Sequence, residues 1–113
     1  MTRQRAEQRG RRAEQLAALL LMAKGWRIVA RRRRMPMIEV DLVARRGAML
    51  AVVEVKRRAT LDAAVCALTP WAAERLQSAA RQLAAEAGPD VSARVDLIAL
   101  APGRWPRHIP GVG

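Results

Sequence analysis

The sequence predicts a single α/β domain in which a mixed β-sheet lies between helices. Two alternating, strand-like runs flank a glycine turn between residues 38 and 56, and apolar residues recur at helical spacing on both sides of that hairpin. The resulting order is helix, strand, hairpin, helix, strand, which is typical of layered α/β folds. With 113 residues, the chain is long enough to bury one hydrophobic core.

The first predicted element is a helix from Gly10 to Lys24, preceded by a flexible basic arm over residues 1–9. Gly25 follows the last apolar residue of the helical pattern and is a typical helix stop. Glu14 stands at the border of the apolar stripe. Its side chain can therefore face the core, or it can pair in solvent with a neighbouring arginine.

A short strand is predicted next, from Trp26 to Ala30, and it continues into Arg31, Arg32, Arg33 and Arg34. Successive side chains of a strand point to opposite faces, so some of these arginines should lie beside the acidic face of the hairpin. Arginine is well suited to bidentate contact with phosphate. The alternative is an edge strand that its charge keeps from pairing with other chains.

The hairpin strands are predicted at Ile38–Leu42 and Met49–Lys56, with Gly47 in the turn. We expect either a two-residue turn at Arg46-Gly47 or a four-residue loop over 45–48. Both turns collect apolar side chains on one face, whereas a three-residue loop would expose half of them. The expected cross-strand neighbours are Ile38 with Val55, Val40 with Val53, and Leu42 with Ala51.

The same register gathers charged side chains on the other face of the hairpin. Glu39 is expected directly opposite Glu54, and Asp41 diagonal to Glu54 at roughly 7–8 Å between backbones. Lys56 shares the face of Glu54, two residues away. Carboxylates of this kind bind Mg²⁺ or Mn²⁺, and a lysine beside them could orient an attacking water. The alternative is a solvent face with ordinary cross-strand ion pairs.

The remaining elements are predicted from capping and turn signals. Ala59–Leu68 is expected to be a loop, and a second helix runs from Thr69-Pro70 to Gly88. Val91–Leu100 reads as a strand with one partly exposed face. His108, the single histidine, falls in a short edge strand of a tail rich in proline and glycine.

The net charge of +11 indicates a polyanionic partner, most simply DNA. Arg45, Arg46, Arg57 and Arg58 flank the hairpin and join the four strand arginines as candidate nucleic-acid contacts. There is no glycine-rich phosphate loop, so a nucleotide cofactor is not expected. With no Phe or Tyr, base-stacking platforms are not expected either, which leaves recognition through phosphates.

Cysteine content and targeting signals indicate the cellular compartment. Cys66 is the only cysteine, so neither an internal disulfide nor a cysteine metal site is available. The basic N-terminus lacks the apolar segment of a signal peptide, and no stretch is apolar enough to span a bilayer. The sequence therefore predicts a cytoplasmic protein without a membrane partner.

Four stretches of the chain together resemble one family. They are GRRAEQLA at 10–17, KGWRI at 24–28, IEVDLV at 38–43 and VEVKRR at 53–58. The combination resembles the YraN-like family of small bacterial proteins, which are similar to restriction-endonuclease-fold nucleases and to archaeal Holliday-junction resolvases. The resemblance implies a restriction-endonuclease-like three-layer core.

The resemblance also assigns roles to individual residues. It makes Glu14 the acid carried by the helix, Asp41 a metal ligand, and Glu54 with Lys56 the E-x-K pair of the nuclease fold. Glu39 is a candidate from the hairpin register and not from the resemblance; it would bind the metal through water or pair with an arginine of the 31–34 run. The implied function is a Mg²⁺- or Mn²⁺-dependent endonuclease on branched or structured DNA, where a two-fold junction is compatible with a homodimer. A non-catalytic nucleic-acid-binding adaptor with the same fold is the alternative.

Overall fold

The structure is a computed structural model that describes the backbone of residues 3–112 and the side chains of residues 10–112. Its elements in chain order are α1 (Arg3–Ala23), β1 (Arg27–Arg34), β2 (Glu39–Arg46), β3 (Met49–Arg57), α2 (Leu61–Cys66), α3 (Pro70–Ala87), β4 (Ser92–Leu100) and β5 (Arg107–Ile109). Within the described residues, no helix has the length and apolar character needed to cross a membrane.

The five strands form one mixed sheet with the spatial order β1-β2-β3-β4-β5. Strands β3 and β4 are parallel, and the other neighbours are antiparallel. The parallel pair needs a crossover connection, which α2 and α3 supply. The predicted mixed sheet between helices is confirmed, with α1 packed on one face and α3 on the other.

Helix α1 covers one face of the sheet with small side chains, which allow a close approach. The residues in this layer are Ala13, Ala17, Ala18 and Leu21 of the helix against Leu42, Ala44, Ala51 and Val53 of the sheet. Gly25 adopts φ +90° and ends the helix, as predicted. The helix begins at Arg3, so the segment predicted as an arm over residues 1–9 is helical from Arg3 onward.

Helix α3 covers the opposite face. Thr69 caps it by accepting a hydrogen bond from the Ala72 N–H, Pro70 occupies its first turn, and Gly88 ends it, all as predicted. Its buried side chains are Leu76, Ala79, Ala80 and Leu83, which pack on Val43, Leu50, Val52 and Val95. Strand β3 is therefore buried on both faces. The second face of β4, predicted to be partly exposed, is also buried from Val95 onward.

The observed hairpin register differs from the predicted one by two residues. Leu42 pairs with Val53, not Ala51, and the turn consists of Gly47 and Ala48. Gly47 adopts φ +60°, the left-handed conformation that the first position of such a two-residue turn requires. A shift of two keeps the paired residues on their predicted faces. Ile38 and Val40 lie beyond the last pair and pack in the α3 layer, whereas the prediction placed them on the face of Leu42. Glu39 is not opposite Glu54, however, and that part of the prediction was wrong.

One helix was missed. The stretch Ala59–Leu68 contains α2 (Leu61–Cys66) and is not a continuous loop. Thr60 is its N-cap and accepts a hydrogen bond from the Ala63 N–H at 3.1 Å. Ala64 is fully buried, so packing against β3 and β4 stabilises a helix too short to form alone.

Candidate active site

The centre of the candidate site is the pair Asp41 and Glu54, where strands β2 and β3 stop pairing. The register places these two residues immediately beyond the last backbone pair, Leu42 with Val53. The Asp41 Oδ2 instead accepts a hydrogen bond from the Val55 N–H at 2.8 Å. The side chain of Asp41 thus takes the position that a backbone carbonyl would hold in a regular ladder.

Glu54 is unusual because it is an acid in the interior of a central strand, only 8% exposed. Burial raises the pKa of Glu54 to about 9, and its hydrogen bond to Asp41 and the nearby Asp41 charge act in the same direction. The Lys56 charge and the Val55 N–H oppose this rise in pKa. The raised pKa favours the protonated form of Glu54, which can donate a hydrogen bond to Asp41. Two carboxyl groups this close need either a shared proton or a cation.

Lys56 lies on the same side of β3 as Glu54, as the alternation predicted. Its Nζ is 3.9 Å from the Glu54 Oε1, and its side chain is about a quarter exposed. The lysine can therefore reach solvent while its ammonium stays close to the acidic pair. Asp41, Glu54 and Lys56 form one contiguous group of ionisable side chains.

Glu14 faces inward from α1, but its partner is Arg32 of β1. The Glu14 side chain is 14% exposed and accepts hydrogen bonds from the Arg32 Nε at 2.8 and 3.1 Å. A terminal guanidinium nitrogen of Arg32 completes the fork. Of the two alternatives for Glu14, the structure has the inward one, with the helix acid neutralised by an arginine from the neighbouring strand.

Arg32 connects Glu14 to the rest of the site. The β1–β2 register places it opposite Asp41. Its hydrogen bond with Glu14 raises the pKa of Arg32 above its usual value, partly offset by burial, and the charges of Glu14, Glu39 and Asp41 add to the rise. Arg32 also adopts φ +51°, the only positive φ of a non-glycine residue between positions 3 and 112. An arginine in a strained conformation thus sits among three acids.

The other strand arginines make weaker contacts. Arg34 lies 3.7 Å from Glu39, so this acid pairs with an arginine of the run, one of its two predicted roles. Arg33 reaches Glu86 of α3 at 3.5 Å. Arg31 lines an open cleft of about 410 Å³ between α1 and β1, together with Arg11, Glu14, Gln15 and Arg32. The cleft next to Glu14 is therefore strongly cationic.

The hairpin arginines lie at two different places. Arg45 and Arg46 are at the turn end of β2, about five residues or 16 Å along the strand from Asp41. There Arg46 stacks on Trp26 at 4.5 Å and donates to the Lys24 carbonyl. Arg57 and Arg58 are exposed at the opposite end, where β3 leaves the sheet near Lys56.

Of the four candidate metal-binding acids, only Asp41 and Glu54 lie together. Among residues 10–112, no group of three or more His, Cys, Asp and Glu side chains lies close enough to hold an ion. Asp41 and Glu54 are together, whereas Glu14 and Glu39 are each engaged by an arginine. Two carboxylates still fit Mg²⁺, which is commonly held by one or two protein carboxylates and keeps several waters.

A second polar cluster was missed by the sequence analysis. Asp96 is fully buried in β4 and accepts hydrogen bonds from Arg94, from the Gly111 N–H and from His108 Nε2, the last at 2.8 Å. The Lys24 ammonium lies 2.9 Å from His108 Nδ1. Because lysine can only donate, Nδ1 is the acceptor and Nε2 carries the proton donated to Asp96. This cluster fastens the C-terminal tail to the sheet.

Comparison with known proteins gives the same family as the motifs. The model described as "Uncharacterised protein family UPF0102" matches residues 13–100, which include Glu14, Asp41, Glu54 and Lys56. A UPF0102 protein of Caulobacter vibrioides is 55% identical over 103 residues, which cover 89% of this chain and 82% of the relative. One from Brucella canis is 50% identical over 105 residues, 90% of this chain and 82% of the relative. The chain therefore belongs to the UPF0102 family, the YraN-like proteins.

Proposed function

We propose that this protein is a cytoplasmic, metal-dependent endonuclease that hydrolyses phosphodiester bonds in branched or structured DNA. The observation that carries the proposal is the pairing of the Asp41 and Glu54 carboxyl groups beside Lys56, at the point where two central strands separate. Burial of Glu54 beside a second carboxyl group, that of Asp41, destabilises the charged form of Glu54 and raises its pKa. Acids perturbed in this way cluster at catalytic and ligand-binding sites.

Asp41 and Glu54 would hold Mg²⁺ or Mn²⁺. Both supply the hard oxygen ligands that these ions prefer, and Glu54 would release its proton when the ion binds. When bound, the ion would polarise the scissile phosphate and lower the pKa of a bound water. Lys56 would orient the water or stabilise the charge that develops on the phosphate. Glu14 would assist in metal binding once its ion pair with Arg32 is broken.

The surroundings suit a phosphodiester backbone. The cleft beside Glu14 is lined by Arg11, Arg31 and Arg32, and the whole chain carries a net charge of +11. Arginine forks match phosphate oxygens in two-point contacts. Binding through phosphates predicts weak sequence preference and an affinity that falls steeply with salt. A two-fold symmetric junction has two scissile positions, so the proposal includes a homodimer on that substrate.

The test is cleavage of forked, four-way, single-stranded and duplex DNA with Mg²⁺, Mn²⁺ or EDTA. Asp41→Asn and Glu54→Ala should each lower the rate at least a hundredfold, and Lys56→Ala about tenfold to a hundredfold. Asp62→Asn, an exposed acid of α2, is the matched control and should cut normally. Cleavage that survives Asp41→Asn would come from a contaminating nuclease and would remove the proposal.

A non-catalytic nucleic-acid-binding adaptor is the second candidate. The observation that favours it is the Glu14–Arg32 pair, which leaves two carboxylates for an ion rather than three. Calorimetric titration with Mn²⁺ separates the two candidates. A site that Asp41→Asn abolishes supports the enzyme, whereas DNA binding without any metal site supports the adaptor.

A further inference from the structure

The aromatic side chains of this protein are distributed in an unusual way. The chain contains three tryptophans and neither Phe nor Tyr. Trp26 is only 3% exposed, but Trp71 is 60% exposed and Trp105 is 90% exposed. Tryptophan is the largest apolar side chain and is normally well buried. Two of the three aromatic residues are thus presented to solvent, contrary to the expectation that no stacking platform would be found.

Trp105 lies at the end of the sheet where the parallel strands β3 and β4 finish, which is also the end nearer to the acidic pair. Strands β3 and β4 are parallel, and their last paired residues are Arg57 and Leu100. Trp105 lies in the connection from β4 to β5, five residues after Leu100, and Glu54 is three positions before Arg57. In open α/β sheets, ligands bind beyond the carboxyl ends of parallel strands. Trp105 therefore stands on the side from which a substrate would approach.

Trp71 lies on the connection that leaves this end of the sheet. It is the second residue of α3, and the short helix α2 that precedes it packs on β3 and β4. The Arg75 guanidinium covers the Trp71 ring at 3.7 Å from the ring centre. This contact holds the ring in place and adds a positive charge beside it. Trp71 as a whole residue remains 60% exposed, which leaves room for a second flat partner.

The charges near these rings favour a polyanion. Exposed arginines lie at the end of β3 and on either side of Trp105 in the tail. They are Arg57, Arg58, Arg104 and Arg107. The tail from residue 101 to 113 contains no acidic residue. Aromatic rings interspersed with arginines are the usual means of binding unpaired nucleic acid, because every base has a flat face and every nucleotide has a phosphate.

We infer that Trp71 and Trp105 stack on unpaired bases of the substrate, which gives the protein a preference for DNA with a single-stranded segment next to the scissile phosphate. The inference rests on the proposed function and narrows it. Bases inside a duplex are already stacked on one another, so only frayed, forked or flapped DNA offers free base faces. Fully paired duplex would contact the arginines but not the two rings.

The experiment measures binding of labelled forked, single-stranded and duplex DNA to the full chain in EDTA, so that no cleavage occurs. Trp71→Ala and Trp105→Ala should each weaken binding to forked and single-stranded DNA about fivefold to a hundredfold. Trp71→Phe should retain most of the affinity. Affinity for duplex and the salt dependence should stay unchanged, because no phosphate contact is lost.

Intrinsic fluorescence supplies an independent readout with an internal control. Forked DNA should quench the emission of the wild-type protein. Forked DNA should not quench the emission of the double variant Trp71→Ala/Trp105→Ala. The remaining tryptophan in that variant, Trp26, is buried in the core and cannot stack on a base. Both positions are exposed, and a thermal melt equal to wild type would show that the double variant is folded.

The outcomes separate the two proposals. Wild-type affinity of both tryptophan variants for forked DNA overturns the stacking role, while metal-dependent cleavage that Asp41→Asn abolishes leaves the nuclease proposal standing. Absence of DNA binding by the wild type overturns both. Loss of self-association in the variants, with DNA binding intact, shows a protein interface at the two rings and also overturns the stacking role.

Discussion

The Arg32 guanidinium forms a fork with both carboxylate oxygens of Glu14. Its Nε lies 2.8 Å from Oε1 and 3.1 Å from Oε2, and a terminal nitrogen lies 2.5 Å from Oε1. The same guanidinium is close enough to Asp41 and Glu39 for their charges to raise the pKa of Arg32. An internal cation thus neutralises Glu14, the helix acid of the proposed nuclease site.

Removal of this cation should strengthen metal binding. In Arg32→Gln, Glu14 is free to act as an additional ligand, and a positive charge next to Asp41 is lost. We expect Mn²⁺ to bind about fivefold more tightly, since a partly exposed ion pair is worth up to about 1 kcal/mol. Isothermal titration calorimetry measures the change. Arg31→Gln is the matched control, because Arg31 lines the same cleft and has no carboxylate bond to any side chain of residues 10–112. Equal Mn²⁺ affinities in the two variants would contradict the idea that Arg32 and the metal ion compete for the Glu14 carboxylate.

The backbone of Arg32 makes a separate prediction about stability. Its φ of +51° is costly for any residue with a Cβ, but not for glycine. Arg32→Gly and Arg32→Ala both remove the ion pair, so their difference reports on the backbone alone. We expect the glycine variant to be more stable in urea by about 0.5–1 kcal/mol. At Arg31, the same two substitutions should show the opposite order, and a common order at both sites would exclude strain at Arg32.

The buried acid of β3 predicts how stability depends on pH. The pKa of Glu54 is about 9 in the folded protein and close to 4.5 when unfolded. Below about 4.5, both states are protonated, so the folded state is not penalised. As the pH rises from there towards 9, only the unfolded state releases the proton, and stability is progressively lost.

Glu54→Gln should remove this loss, because glutamine resembles the protonated acid. In EDTA, we expect the variant to match wild type near pH 4.5 and to exceed it by about 1–3 kcal/mol at pH 8. Urea unfolding at both values measures the difference, with exposed Glu74→Gln as control. Mn²⁺ at pH 8 should reverse the order, since only wild type can bind it through this carboxylate. Parallel pH curves in EDTA would show that Glu54 is not held protonated.

Much of the fold follows from local signals that the sequence carries. Thr69-Pro70, Gly25 and Gly88 define helix ends because capping and positive φ depend on single residues. The faces of the paired hairpin residues were predicted from the alternation of side chains along a strand. The exact pairing of the hairpin was not predicted, because a shift of two residues leaves the faces of the paired residues unchanged. Only the position of Gly47 within the turn distinguishes the two registers.

The charged contacts were harder to predict because they join distant segments. Asp41 and Glu54 sit on adjacent strands of one hairpin, so alternation was enough to place them on a common face. The Glu14–Arg32 pair depends on how α1 lies over β1, which no local pattern specifies. The same holds for Asp96, whose partners come from β4 itself and from the tail.

Asp96 should be a stability residue and not a catalytic one. Its carboxylate is fully buried in β4, and Asp96→Ala would leave Arg94, His108 and the Gly111 N–H without their common acceptor. Removal of one partner from a buried charged network costs about 3–5 kcal/mol. We expect urea unfolding to show a loss of this size, and Asp90→Ala, an exposed acid just before the strand, to be neutral within about 0.5 kcal/mol.

The same variant should release the tail. With the anchor gone, trypsin should cut after Arg107 faster than in wild type, under conditions where the sheet is still folded. The short strand β5 and the bond from the Val112 N–H to the Val95 carbonyl would then have to hold the segment alone. A variant with an unchanged cleavage rate and a loss below 1 kcal/mol would show that those backbone contacts are sufficient. In that case, the burial of Asp96 would need an explanation other than stability, because a buried carboxylate costs free energy unless its hydrogen bonds offset that cost.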